Sequence, residues 1–434
     1  MQVLLCELFS KPVKQIQCDV IMYKKIWYAP NGFEAYGDSE INAVTQCMRE
    51  GWLAGNGKYT TEFEKQVSAY FGKKFGLFVN SGSSACLLAI ASLNLPEGSE
   101  IITPACTFST TVAPILQLGY KPVFCDVELN TYVAAVDSVL AKITPRTRVI
   151  MLPNLIGNTP DWKLLRKKLD DTSRTDIFLI EDSADTMTCT PETDISTTSF
   201  YASHVITACG SGGMVMFNEA KYLKRATMFR DWGRIGDNTE LVVERFNHEI
   251  DSIKYDYKFL YACLGYNFKS SEVNAAFGLE QMKKLPKFVE IRRQNVERYL
   301  ENLKDVKGIV LPSDTKNSNW LAFPFQVNDR LALVNYLEDR NVQTRVIFSG
   351  NITRHPAYRE YLEVFPNADT IMRNGILLGC HHGMTLEDVD HVCSLIITFM
   401  RSLEPKPEDF LMSNLKYFER RESAHDISAY HPQD

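Results

Sequence analysis

Several things this chain lacks narrow what it can be. No apolar run approaches the roughly 20 residues needed to cross a bilayer, so a membrane partner is not expected. No excess of basic residues exists: 47 Lys and Arg against 53 Asp and Glu leave a net charge of -6. That balance gives nucleic acid no footprint and limits any bound anion to a small one. Cys-x-x-Cys pairs are absent, and the eleven cysteines, an odd number, are scattered from Cys6 to Cys393, which argues against a zinc ribbon or a disulfide framework. Residues such as Cys86, ahead of Leu87-Leu88-Ala89-Ile90, read as small buried apolar groups. Met1 to Glu7 has no basic n-region and carries an acid in its short apolar stretch, so no signal peptide and a cytoplasmic location are expected. Neither an internal repeat nor a low-complexity segment is present.

What is there fits a globular protein. The 434 residues are 45% apolar, 11% aromatic and 23% charged, enough for two or three domains. From Phe75 to Ile180, strand-like runs alternate with helical patterns. Gly76–Val79, Glu100–Thr103, Lys121–Cys125, Val149–Leu152 and Ile177–Ile180 read as strands; Ala85–Leu93 and Thr110–Leu118 read as helices. This rhythm predicts a mostly parallel sheet covered on both faces. After Glu272 the pattern turns to long amphipathic helices through Lys283 and Arg292 to Leu303, before a strand-like Ala322–Phe325. The expected division is an N-terminal extension at 1–29, a large cofactor-binding domain at 30–284, a small C-terminal α+β domain at 285–404 and a polar tail at 405–434. The tail, with Arg420-Arg421-Glu422-Ser423, suits a peripheral helix or disorder.

Three segments carry chemistry. Asn80-Ser81-Gly82-Ser83-Ser84 lies between a strand and a helix, where small residues let backbone N–H groups approach a phosphate. A plain helix N-cap explains the same residues equally well. Glu181-Asp182 ends an apolar strand where open α/β sheets place ligands, and a carboxylate there can hold a pyridinium proton; a solvated loop acid is the plainer alternative. The third segment is Thr198-Ser199-Phe200-Tyr201-Ala202-Ser203-His204-Val205-Ile206-Thr207, followed by Gly210-Ser211-Gly212-Gly213.

Together these segments resemble the DegT/DnrJ/StrS sugar aminotransferase family of vitamin B6 enzymes, whose Ser-Phe-x-x-x-Lys-x-Ile-Thr segment carries the lysine that forms a Schiff base with pyridoxal phosphate. The lysine position here is His204. An imidazole cannot form that stable Schiff base, but it titrates near neutrality and moves protons. Within the family this Lys-to-His change marks the 3-dehydratases of the colitose and ascarylose pathways. Similarity to those two spans about residues 30 to 400, including Arg230-Asp231-Trp232-Gly233-Arg234, Leu264-Gly265-Tyr266-Asn267 and Thr344-Arg345-Val346-Ile347-Phe348-Ser349-Gly350-Asn351.

The resemblance implies an α/β fold of the aspartate aminotransferase-like, fold-type I class. It implies pyridoxamine or pyridoxal 5′-phosphate as cofactor and a nucleotide-linked 4-keto-6-deoxyhexose as substrate. Asp182 matches the pyridine-nitrogen carboxylate, and Ser83, Ser84 and Ser199, with Gly82, match the phosphate site. Phe108 matches the aromatic stacked on the cofactor ring. Asn267 matches a phosphate ligand from the neighbouring subunit, which makes a homodimer the expected active unit. Asp185 and Tyr201 stand where the ascarylose-type dehydratase also has Asp and Tyr, and join His204 as catalytic candidates. His204 is expected to take a proton from the cofactor's C4′ carbon and pass one to the departing C3 hydroxyl, the amine being reloaded from glutamate.

Two departures qualify this. The ascarylose-type enzyme holds a [2Fe–2S] cluster by four cysteines; the corresponding places here read Ala184 and Ile235-Gly236-Asp237-Asn238, so no iron–sulfur cluster is expected. The turn Thr207-Ala208-Cys209-Gly210-Ser211-Gly212-Gly213 is one residue longer than the family's Gly-Glu-Gly-Gly form and lacks its acid. Two other readings stay open: a 4-aminotransferase, for which Lys221 and Lys224 on a solvent-facing helix start are poorly placed, and a non-catalytic sugar-nucleotide-binding homologue. His381-His382, His425 and His431 lack metal-ligand spacing, and Arg345 suits an anionic substrate or a surface ion pair alike.

Overall fold

The computed structural model describes residues 23–236, 241–313 and 319–403. The N-terminal stretch with Cys6 and Cys18, Asp237 and Asn238, and the tail with its Arg-Arg-Glu-Ser run, His425 and His431 lie outside the described residues. Seven strands build the larger sheet: β1 (Phe75–Val79), β2 (Glu100–Pro104), β3 (Lys121–Cys125), β4 (Thr147–Pro153), β5 (Phe178–Ser183), β6 (Ile195–Ser199) and β7 (Gly213–Phe217). They pair in the order β1-β7-β6-β5-β4-β2-β3. The run from β3 to β6 is parallel, and β7 is antiparallel to both β6 and β1, so β1 points the same way as the parallel set. This is the mostly parallel, fold-type I α/β architecture, and it gathers the carboxyl ends of β1, β2, β4, β5 and β6 along one edge.

The apolar runs predict β1 to β5 because strands covered on both faces need Val, Ile and Leu throughout. Ile102, Val149, Ile150, Leu179 and Ile180 are fully buried. Strand β6, Ile195-Ser-Thr-Thr-Ser199, is equally buried but polar, and it is stabilised by hydrogen bonding instead. Ser196 donates to Glu181, and Thr198 Oγ1 donates to the Ser183 carbonyl at 2.9 Å. Period-two alternation puts the neighbours Glu181 and Asp182 on opposite faces. Glu181 turns into a sealed network, accepting from Thr190 and, at 2.9 Å, from Asn154 Nδ2; Lys73 Nζ, which donates to the Thr190 and Thr193 carbonyls at 2.7 and 2.6 Å, lies close by. Asp182 is left facing the ligand side.

A single helix, Glu272–Leu303, replaces the succession of helices expected there; its 32 residues extend about 48 Å. Ser271 caps its start by accepting from Asn274 N, and it runs unbroken across residues 284 and 285, where the sequence reading set a domain boundary. Its buried face, with Val296, Tyr299 and Leu303, packs beneath a four-stranded antiparallel sheet ordered Ile309–Val310, Phe323–Val327, Gly375–Leu378, Arg345–Val346. The last residues of the expected N-terminal extension belong to this smaller unit. Ile26 bonds to Asn341 and Gln343 through its backbone at 2.8 and 2.9 Å, and Lys24 and Tyr23 both reach Asp388.

Candidate active site

The strand ends open into a cavity of about 540 Å³ lined by Gly82, Ser83, Phe108, Asp182, Asp185, Ser199, Tyr201 and His204 from the larger sheet, and by Tyr28, Leu321, Arg345, Val346, Phe348 and Leu377 from the smaller unit. Two larger clefts, about 990 and 850 Å³, contain none of the expected site residues. Eight of the ten expected residues therefore line one cavity, and Ser84 and Asn267 do not. Ser84 sits one position too deep: its hydroxyl donates to Asn80 Oδ1 at 2.7 Å, and its N–H to Ser81, which is the N-cap of the helix Gly82–Ala91. The N-cap and the phosphate-cradle readings hold together, since the cap leaves the N–H groups of Gly82 and Ser83 without an acceptor inside the helix. Asn267 bridges to Asp231 of the Arg-Asp-Trp-Gly-Arg segment.

Two glycines keep the cradle open. A Cβ on Gly82 would stand 2.7 Å from Ser199 Cβ, and one on Gly213 would meet the Ser81 backbone at 2.3 Å. Any side chain at either position would drive the helix start away from Ser199. The longer turn after His204 is accommodated by left-handed backbone at Cys209, Gly210 and Gly212 (φ +55°, +89° and +133°).

Asp182 accepts from Thr111 Oγ1 at 2.7 Å and from the Ala184 N–H at 3.2 Å. Burial pushes its carboxyl above the usual range, and those hydrogen bonds oppose the shift. A carboxylate so buried would be stabilised by a cationic partner. Thr111 had no mark in the sequence beyond its place in a Thr-Phe-Ser-Thr-Thr run, and the tertiary contact alone identifies it. Phe108 projects, 55% exposed, at the start of the helix Ser109–Gln117 and meets Phe348 edge-on at 6.2 Å.

His204 is 17% exposed; its Nδ1 is sealed from solvent without a hydrogen-bond partner and lies 4.0 Å from Asp185 Oδ1. Burial lowers the imidazole's pKa to about 4, and the Arg292 guanidinium adds to the effect. Arg292 is itself fully buried on the long helix, held by the Leu321 carbonyl at 2.7 Å, with Nε and Nη2 unpartnered. At neutral pH His204 is therefore an uncharged base. Asp185 is raised to about 7 by burial, against the Ile156 N–H that it accepts at 2.8 Å. Ile156 makes that bond from left-handed backbone (φ +60°), unusual for a β-branched residue. Tyr201, 59% exposed, stands edge-on to His204 at 6.4 Å. Among the described residues no lysine lines this cavity, and Lys221 and Lys224 are exposed elsewhere. His381 is buried with Nε2 on the Trp27 carbonyl, and His382 stacks on Phe288.

A profile of the DegT/DnrJ/EryC1/StrS aminotransferase family matches residues 34–397. The chain is 34% identical over 406 residues to dTDP-4-dehydro-2,6-dideoxy-D-glucose 3-dehydratase of Saccharopolyspora spinosa, covering 86% of each. It is also similar to the solved structure of E. coli GDP-4-keto-6-deoxy-D-mannose-3-dehydratase with bound hydrated PLP, at TM-score 0.75, 26% identity, 86% of this chain and 100% of that one. A further structure, GDP-4-keto-6-deoxymannose-3-dehydratase with a trapped PLP-glutamate geminal diamine, gives TM-score 0.75 and 26% identity, covering 85% and 99%.

Proposed function

The chain belongs to the DegT/DnrJ/EryC1/StrS aminotransferase family of B6-dependent enzymes, and within it we propose that it removes the C3 hydroxyl of a nucleotide-linked 4-keto-6-deoxyhexose. The observation that carries this reading is His204: a buried, neutral imidazole whose Nδ1 has no partner, in a cavity that no lysine lines among the described residues. The relatives named above as 3-dehydratases support the same direction.

The residues present fit a B6 phosphate. Gly82, Ser83 and Ser199 would hold its phosphate, with Ser84 supporting the turn; Asp182 would face its ring nitrogen and Phe108 its ring. Bound there, the group supplies an electron sink and, in its aminated form, an amine for the C4 ketone. His204 removes a proton as an uncharged base, and the imidazolium so formed delivers one to the C3 hydroxyl as it leaves as water. Asp185 stabilises that imidazolium, since its charge acts across 4.0 Å between two largely buried groups. Tyr201 borders His204 and helps to wall the reacting face. Asn267 would complete the phosphate site of a second copy in a homodimer, and glutamate would restore the amine.

Incubation with pyridoxamine phosphate, glutamate and a panel of GDP-, CDP- and dTDP-linked 4-keto-6-deoxyhexoses tests the reading by product mass. The expected product has lost one oxygen, with no external electron donor required. An aminated sugar, or a lysine labelled after borohydride reduction, would make the protein a 4-aminotransferase.

A further inference from the structure

The cavity-lining residues assigned above to the cofactor lie on or just after strands of the larger sheet. The opposite wall, Tyr28, Arg345, Val346 and Leu377, has no assignment, and one of its members lies outside the 34–397 family match. Tyr28 belongs to the segment that precedes the large domain, yet it is firmly placed. Its N–H donates to Gln343 Oε1 at 3.0 Å, and the Ile26 pairing two residues earlier fixes the strand direction. The Arg345 guanidinium stands 5.6 Å from the centroid of the Tyr28 ring.

With ring and backbone so held, the hydroxyl is the unexplained part. It makes no hydrogen bond with the described residues and is not among the polar atoms sealed from solvent, and Tyr28 lines the cavity. A phenol in an apolar wall normally finds a partner, because leaving the hydroxyl unpaired forfeits a hydrogen bond. Burial first, then the nearby Asp185 charge, hold its pKa above the usual phenol range, so it keeps its proton and is a donor. The cavity that the Tyr28 ring lines also holds His204 and Asp185, 4.0 Å apart.

We propose that Tyr28 is a substrate-contacting residue whose phenol donates a hydrogen bond to an oxygen of the hexose ring, so that the N-terminal segment completes the sugar site. This rests on the reading that the substrate is a nucleotide-linked keto sugar. On the assignments proposed above, the cofactor's phosphate, ring face and ring nitrogen are served from the other wall. A nucleotide is too large to share a 540 Å³ cavity with the cofactor and the sugar, and must extend beyond it.

Calorimetric titration of the nucleotide-linked 4-keto sugar into PLP-loaded wild type and Y28F, beside their melting temperatures and retained PLP, tests the assignment. Y28F should bind the sugar about three- to tenfold more weakly, the value of one hydrogen bond, with unchanged melting temperature and PLP content. Equal binding by the two proteins would overturn the assignment. So would a loss of PLP or of melting temperature that accompanies weaker binding, which would mark the ring as structural. Weaker glutamate binding with sugar binding intact would give the hydroxyl to the amino donor instead, and would also overturn it. Failure of the functional reading is separate: wild type would then bind the sugar and aminate it, and Tyr28 would still be testable by binding.

Discussion

His204 and Asp185 face one another with Nδ1 and Oδ1 4.0 Å apart, beyond a direct hydrogen bond yet close enough for each to feel the other's charge. Their pKa values are displaced in opposite senses, to about 4 and about 7, so at neutral pH the imidazole is a base and the carboxyl is half-ionised. That pairing suits a proton lifted from one atom and returned to another.

Replacing His204 by Asn should leave PLP retention and melting temperature near those of wild type while cutting the rate of sugar deoxygenation by roughly 10²- to 10⁴-fold, the usual share of a positioned acid–base group. His204→Lys should restore covalent attachment, read as a borohydride-stable lysine adduct by peptide mass spectrometry. Deoxygenation that survives His204→Asn at more than a tenth of the original rate would remove His204 from the chemistry.

Asp185→Asn should lower kcat by roughly tenfold or more, since each lost 1.4 kcal/mol of support for the imidazolium is one factor of ten. Its effect on stability has a definite sign. The folded carboxyl holds its proton to about pH 7 against an ordinary 3.8, so its contribution fades as pH rises through that interval. His204, lowered to about 4 from 6.5, does the reverse and adds stability as pH rises from about 4 to 6.5. Melting temperature should therefore climb more steeply between pH 4 and 6.5 in Asp185→Asn than in wild type, and a shallower climb would contradict the assignment.

Asp182→Ala should weaken B6 binding more than any single change at the phosphate end, because it removes the buried carboxylate that Thr111 holds in place and that is proposed to pair with the ring nitrogen. Thr111→Val should produce a smaller loss, about 1 kcal/mol, by freeing that carboxylate to turn. PLP absorbance that remains with the protein after gel filtration measures both, and PLP should raise the melting temperature of wild type but not of Asp182→Ala.

Gly157→Ala should cost stability and activity together. Gly157 has φ +107°, and an added Cβ would lie 2.4 Å from the Asn319 carbonyl, so the loop must shift. The strain alone is worth roughly 1–3 kcal/mol, read as a fall in melting temperature. The same shift withdraws the neighbouring Ile156 N–H from Asp185, so kcat should fall even at temperatures where the variant is fully folded.

Much of this was legible beforehand. The strands that need apolar residues on both faces announced themselves; Asp182, Ser199 and His204 stood out by local motifs, each on one strand end or the turn after it, and the fold brings them to one cavity. Polar β6 gave no apolar signal, since its burial is sustained by hydroxyls that bond Glu181 and Ser183 across the sheet. Ser84 was placed with the phosphate group by motif, but helical phase turns its hydroxyl to Asn80 instead.

The sequence by itself determined which chemical groups are available: an imidazole in a lysine's place, a strand-end carboxylate, a glycine–serine helix start. Those follow from short segments whose geometry is set by adjacent residues. The tertiary structure alone decided their electrical state and their company. Neutral His204 depends on burial and on Arg292 from a helix some 90 residues on, Asp182 on Thr111 from the helix Ser109–Gln117, and the far wall on Tyr28 from the N-terminal segment. Burial, field strength and approach across a cavity arise only when distant segments pack together, so no local pattern encodes them.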